Sequence, residues 1–448
     1  MKVHVSKSPI IIISNIIRII YICLINALFV LKKVQTFLKH TRSLIAPVFS
    51  CLLLLVFSYY ISNSSLPLND AELKSLRYYE ALTDSLRLHY KGLTERNDVW
   101  IDSLLLINTS YDLALTNFYG EGHNIKKGVV PRVNRKNLFH LLKLIRDNDT
   151  YKYLLLDIQL DSLSGICYSD DGSFSAEEYD DSLRSILSKM NRVVIAKDDE
   201  FSFLDSSFEK KAGSVDYLST VEVSGFSKMH IGTLPQQSLP LRMYSEIDKG
   251  CIHKHAFGIY SDNGTICFSS IVPTFYIRDI KYLDKRSNNM LVYEYQNLGS
   301  DILNDYFFDP STFDNRIIVI GHLFDYDLHE TYVGKLPGAV INLNTYLTLK
   351  NGQHRIKWWA VLLLSCLYVI ISYLVINQGV QEKILQRLSP FARLVASIVG
   401  WSVLFHFISL ARYISGGSYY NPWIPTIWFS ILPYIIRFFK HIYSRHES

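Results

Sequence analysis

A chain of 448 residues with 49% hydrophobic content has room for two or three domains, yet its apolar residues crowd the ends and its acids the middle. That split excludes a string of soluble domains and points to a membrane protein carrying one polar insert. The net charge of +5 is small and its cations flank apolar segments, which fits cytoplasm-facing loops and excludes a nucleic-acid surface.

Residues 9–31 are apolar over about the length of a span, but Asn15, Arg18 and Asn26 interrupt them. A span and an interfacial helix both remain open for residues 1–43. Lys32, Lys33, Lys39 and Arg42 then precede a clean span at 44–62, so the chain beyond Ile61 is expected outside the cytoplasm. Residues 63–356 form the expected outer domain. It opens on a helix over 70–97, with Leu73, Leu76, Tyr79, Leu82, Leu86, Tyr90 and Leu93 three or four apart. Packing on its own domain and pairing in a homodimer are both compatible with that spacing.

Trp100–Ile107, Tyr153–Ile158, Arg192–Ala196 and Arg316–Ile320 read as buried strands, with helices at Asn137–Arg146, Ser182–Met190 and Ala339–Leu349. Alternating strands and helices imply a mainly parallel sheet. Between Lys197 and Asn315 the pattern changes to antiparallel strands and long loops, with a hairpin signal at Ser261-Asp262-Asn263-Gly264. The fold class is therefore an α/β extracytoplasmic domain, mainly parallel with an antiparallel insertion, plus transmembrane helices. Three more spans follow at 357–377, 394–411 and 422–439. Lys383, Arg387 and Arg393 mark a cytoplasmic loop, and Arg437, Lys440 and Arg445 a cytoplasmic tail at 440–448. That tail is too short for an output domain.

In an open parallel sheet, ligands bind at the carboxyl ends of the strands. Asn108, Asp157, Lys197 and the Gly321-His322 pair occupy those ends, and Asp325, Asp327, His329 and Thr331 follow in the next loop. Together they make a candidate polar pocket, with helix capping as the plainer role for Asp157 and Asp327. His322, Asp325, Asp327 and His329 carry metal-ligand chemistry, but a loop supplies no common helix face, so neither metal nor cofactor is expected. No nucleophile elbow or phosphate-binding glycine loop is present, and the chain is not expected to be an enzyme. Six cysteines are too few and scattered for a disulfide framework; a Cys251–Cys267 bridge is the pairing left open. His406 lies inside a span without an acidic partner, which favours packing over proton transfer.

Asn315-Arg316-Ile317-Ile318-Val319-Ile320-Gly321, then Asp327-Leu328-His329, Thr331, Gly334, Pro337-Gly338, Ile341 and Asn344, resemble the signature of the type-2 CHASE domain, a family of extracytoplasmic sensory domains associated with cyclases and histidine kinases. Arg135, Leu138 and Leu141-Leu142 are similar to its first crossover helix, and Leu155-Leu156-Asp157-Ile158 to its second strand. The resemblance runs over about residues 64–438, three following spans included. Two departures stand out: Asn108-Thr109 where the family has acids, and Asn342 where it has a histidine.

The resemblance implies a multi-pass sensor of a bacterial cytoplasmic membrane, with its main domain periplasmic. It would bind a small molecule or protein outside and signal through a separate effector protein. A scaffolding envelope protein is the alternative, and a metal-dependent hydrolase using His322, Asp327 and His329 a more distant one.

Overall fold

The computed structural model describes residues 44–62, 74–83, 104–119, 126–158, 160, 166–169, 172–197, most of 208–278, 290–294, 310–324, 327–377, 385, 387–416 and 420–446. Residues 9–31, Asp325 and the helix expectation beyond residue 83 lie outside them. The chain divides into two compact units, one of 58–360 with 402–424, the other of 1–57, 361–401 and 425–448.

The larger unit is organised on six strands: β1 (Leu104–Asn108), β2 (Tyr153–Asp157), β3 (Val193–Lys197), β4 (Ala212–Ser214), β5 (Met290–Glu294) and β6 (Ile317–Gly321). Their order is β5-β1-β6-β2-β3-β4, and every pairing is parallel. The unbroken apolar runs suit a sheet covered on both faces. Leu105, Ile107, Leu154, Leu156, Val193, Ile195, Ile318 and Ile320 turn to one core, and their alternates to the other. In the first core lie α2 (Arg135–Asn148) and α3 (Ala176–Lys189), following α1 of the membrane region (Ile45–Ser62) in the chain. Asn134 and Ser175 start these helices, accepting the amides of Asn137 and Glu178. The second core holds α4 (Leu239–Ile247) and α5 (Gly338–Lys350).

The mainly parallel sheet with antiparallel additions follows the sequence reading. The stretch from Lys197 to Asn315 follows it in its antiparallel strands and the 260–267 hairpin, but it also supplies two strands of the central sheet and α4. Five smaller antiparallel sheets accompany the central one among the described residues, and two matter most here. One has four strands from 113–133 and 166–175, and the other is the 252–267 meander. Helix α5 forms where expected and is enclosed on every side: Gly338 through Leu349 are all buried. Its polar residues are satisfied inside. Thr345 and Thr348 donate to the carbonyls one turn back, and Asn344 makes four bonds to residues 276, 277 and 340. Cys251 is exposed, Cys267 buried, and both are free thiols.

Among the described residues three helices are long and apolar enough to cross a membrane: α1, α6 (Trp358–Ile376) and residues 390–414 of α7 (Pro390–Gly416). The apolar part of α8 (Trp423–His446) is shorter, at Trp423–Phe439. In the smaller unit Ser50 takes hydrogen bonds from Ser372 (3.1 Å) and Trp428 Nε1 (3.0 Å), joining α1, α6 and α8. Such bonds knit helices where lipid offers no hydrophobic drive for association.

Candidate functional site

The register puts Asn108, Gly321 and Asp157 in one row across the carboxyl ends of β1, β6 and β2. By strand alternation all three turn to the α5 face. The chain leaves β1 and β2 toward helices of one core, and β6, lying between them, toward α5 in the other. Diverging connections from adjacent strands open the crevice where ligands settle in such sheets. Gly321 lets α5 come close: a Cβ there would stand 3.0 Å from Ala339 Cβ and 3.1 Å from the Asp157 carbonyl.

Asp157 is only partly buried, and Asn342 Nδ2 donates to its Oδ2 at 2.9 Å. Burial and then the nearby charge of Asp327 push the Asp157 carboxyl up to about 7, against the Asn342 bond and His329. Its Oδ1 accepts nothing from the described residues. Asp327 takes a left-handed backbone (φ 53°), held because its carbonyl accepts the Gly338 amide at the start of α5. Its Oδ1 lies 2.9 Å from His329 Nε2, and that bond raises the His329 pKa despite burial. His322 is lowered by burial, which Asp327 partly opposes.

Asn108 stitches the end of β1 to the loop after β6: its Oδ1 accepts the amides of Ser110 (3.1 Å) and Leu323 (3.0 Å). Three side-chain atoms here are buried without a partner among the described residues: Asn108 Nδ2, Thr109 Oγ1 and Asn342 Oδ1. Each such atom costs about 1–3 kcal/mol, so their gathering at one end of the sheet needs a reason.

Other expected site residues lie apart from this row. Lys197 alternates with Val193 and Ile195, so it turns to the opposite face from Asp157. Thr331 is fully buried in the 328–337 hairpin, donating to the Gly334 carbonyl at 2.6 Å. Pro337 precedes α5 as its cap residue, and Asn344 ties that helix to 276–277. Asp327 and His329 meet, but among the described residues no three His, Cys, Asp or Glu side chains converge to hold a metal ion.

Asn342 belongs to the site although the sequence marks it only as a departure from the family pattern. A polar residue in the middle of an otherwise largely apolar helix, three positions after the Ala339 that packs on Gly321, is the available signal. Two further polar clusters have no local signal. Asp262 holds His354 (2.8 Å), Arg355 (2.8 Å) and Tyr244 (2.9 Å), while Glu80, buried, pairs with Arg278 and accepts the Tyr413 hydroxyl. Compared with known protein families, curated proteins and solved structures, the chain gives no match.

Proposed function

We propose that this protein is a membrane-anchored sensor whose strand-end crevice binds a small molecule or a peptide outside the cytoplasm. The observation that carries this is the set of buried polar atoms at Asn108, Thr109 and Asn342 without partners among the described residues, beside the Asp157 carboxyl with its raised pKa. A scaffold gains nothing from such atoms, whereas a ligand able to reach them would complete them. The resemblance to type-2 CHASE domains supports the same reading. The cations before residue 44 and after α6 favour an outer placement for the domain, in a bacterial cytoplasmic membrane.

Helix α5 ties the crevice to the helices of the membrane region. Asn342 touches Asp157, and two residues on Asn344 holds the 276–277 backbone. Arg278 follows and pairs with Glu80, which takes the Tyr413 hydroxyl of α7. At its other end α5 runs into His354 and Arg355, both on Asp262, three residues before α6. A ligand that favours one of two α5 positions by about 1–3 kcal/mol would shift both ends. The signal would then pass to a separate effector protein.

The test is a thermal-shift screen of the full-length protein in detergent against a library of small polar molecules. A compound that raises Tm in the wild type and not in Asn342→Leu is the expected result. The reading fails if no compound discriminates the two proteins. It fails in favour of scaffolding if crosslinking in cells also gives the same complex under every condition.

A further inference from the structure

Phe257 is a large aromatic side chain that the core does not use. It is 84% exposed within a one-turn 3-10 segment, Ala256–Gly258, and its backbone is left-handed (φ 59°). A bulky residue in that region is an outlier, and such strain persists where the surroundings impose it, often at functional positions.

Tyr60 relates this loop to the membrane. Its hydroxyl donates to the Phe257 carbonyl, and Tyr60 belongs to the last turn of the apolar helix α1. Beside it, Tyr59 donates to the Cys267 carbonyl (3.3 Å), accepts the Tyr260 amide (2.9 Å) and stacks on Phe268. On the far edge of the same small sheet, the Ile356 amide donates to the Ile266 carbonyl at 2.7 Å, two residues before α6 begins. One apolar helix therefore ends, and another begins, on the 252–267 meander.

An 18-residue helix is about 27 Å long, close to the hydrocarbon thickness of about 30 Å. Tyr59 and Tyr60 thus come at the headgroup level, where aromatic rings settle. The loop bonded to them shares that level. Ile259 and Ile266 are also exposed on this sheet, with Trp358 and Trp359 at the adjoining helix start. Lys254 and Lys357 are exposed as well, placed to meet phosphates while their stems lie on apolar surface.

We infer that the Phe257 loop is a lipid-binding wedge that inserts into the interfacial zone of the bilayer crossed by α1 and α6. Its partner is phospholipid: the ring of Phe257 and the side chain of Ile259 enter the acyl boundary, and Lys254 takes headgroup phosphate. Attachment of the loop to the last turn of a spanning helix, rather than to a distant face of the domain, favours lipid over a protein partner. The wedge gives the domain a point of attachment besides its covalent links to the spans.

The experiment places the photoreactive residue p-benzoylphenylalanine at position 257 of the full-length protein. The protein is set in nanodiscs of phosphatidylcholine and phosphatidylglycerol, illuminated, and its adducts are weighed. Phe257 is exposed, so the substitution leaves the core untouched. Position 358 serves as the lipid-facing reference. Tyr168, exposed on the separate four-stranded sheet, serves as the aqueous one. A phospholipid adduct at 257 is expected at a yield near that of 358 and well above that of 168, as interfacial partitioning of an aromatic implies. No lipid adduct at 257 while 358 gives one overturns the inference. So does an adduct of 257 with a second copy or another protein.

Discussion

Replacing Asp157 by asparagine removes the one charge in the crevice that the fold holds against its preference, and stability should report it. The carboxyl moves from 3.8 to about 7 on folding. Between those values the folded protein binds the proton and the unfolded chain does not. Stability therefore falls as pH rises across that window, and is flat above the folded value. At about 1.4 kcal/mol per pKa unit the full shift is worth roughly 4 kcal/mol. Partial exposure of Asp157 and solvent screening reduce this to about 2–3 kcal/mol. The Asp157→Asn side chain would keep an acceptor for Asn342 Nδ2 and carry no charge. The variant should therefore melt higher than the wild type at pH 8, by roughly 3–5 °C for a unit of this size, and the gap should close toward pH 4. His322 titrates in both proteins, whereas His329 feels the Asp157 charge, so the difference between the two melting curves reports Asp157 together with that coupling. Melting of the full-length protein in detergent from pH 4.5 to 8.5 reads it. Parallel curves, with the same offset at every pH, would refute the reasoning.

Two further substitutions probe the ties of α5. Asn344→Ala leaves the buried amides of Tyr276 and Ile277 without their acceptor and should cost about 2–5 kcal/mol, seen as a lower Tm. Asp262→Ala strips His354, Arg355 and Tyr244 of a shared acceptor and should cost about 3–5 kcal/mol. Burial pushes the Asp262 carboxyl up, but the bonds from His354, Arg355 and Tyr244 outweigh it and hold the group well below the usual carboxylate range. Its stabilisation is thus complete above the ordinary carboxylate pKa. The wild-type advantage in Tm should narrow only as pH falls below about 4.

Much of the central sheet can be read directly, because a strand buried on both faces is an unbroken apolar run. Leu104–Ile107, Leu154–Leu156, Val193–Ala196 and Ile317–Ile320 each stand out. The strands at Ala212–Ser214 and Met290–Glu294 do not. Three residues carry no period, and an edge strand joins the sheet through backbone bonds that side chains do not announce. The α4 helix is hidden because it is only nine residues long and Pro240 sits in its first turn. At the site, Asp157, Asp327 and His329 are visible as polar residues at a strand end and in the following loop. Lys197 groups with them in sequence because its strand ends at the same edge; only the pairing of Leu156 with Ile195 reveals that it faces the other core. Asn342 carries no such cue, since its role depends on Gly321 admitting the helix.

In the proposed sensor, the buried polar residues of α5 would let a helix without an apolar stripe serve as a coupling element. A helix packed on one face only could rock on its solvent side and leave its neighbours in place. Helix α5 is enclosed along its length, and its asparagines hold specific partners: Asn342 the Asp157 carboxylate, Asn344 the 276–277 backbone. Displacing it must break or carry these bonds together, which favours two discrete arrangements over a graded drift. Asp157 is the group best placed to select between them. When it is ionised, Asn342 Nδ2 has its acceptor and Asn342 Oδ1 has no donor. When it is protonated, its hydroxyl can satisfy Oδ1 after the amide turns over. A cationic group of a ligand near the free carboxylate oxygen would favour the ionised arrangement, and a neutral or anionic one the protonated arrangement. In the proposed sensor the chemistry of the ligand and the position of α5 would then be linked through a single proton, and ligand affinity should change with pH in the range where Asp157 titrates.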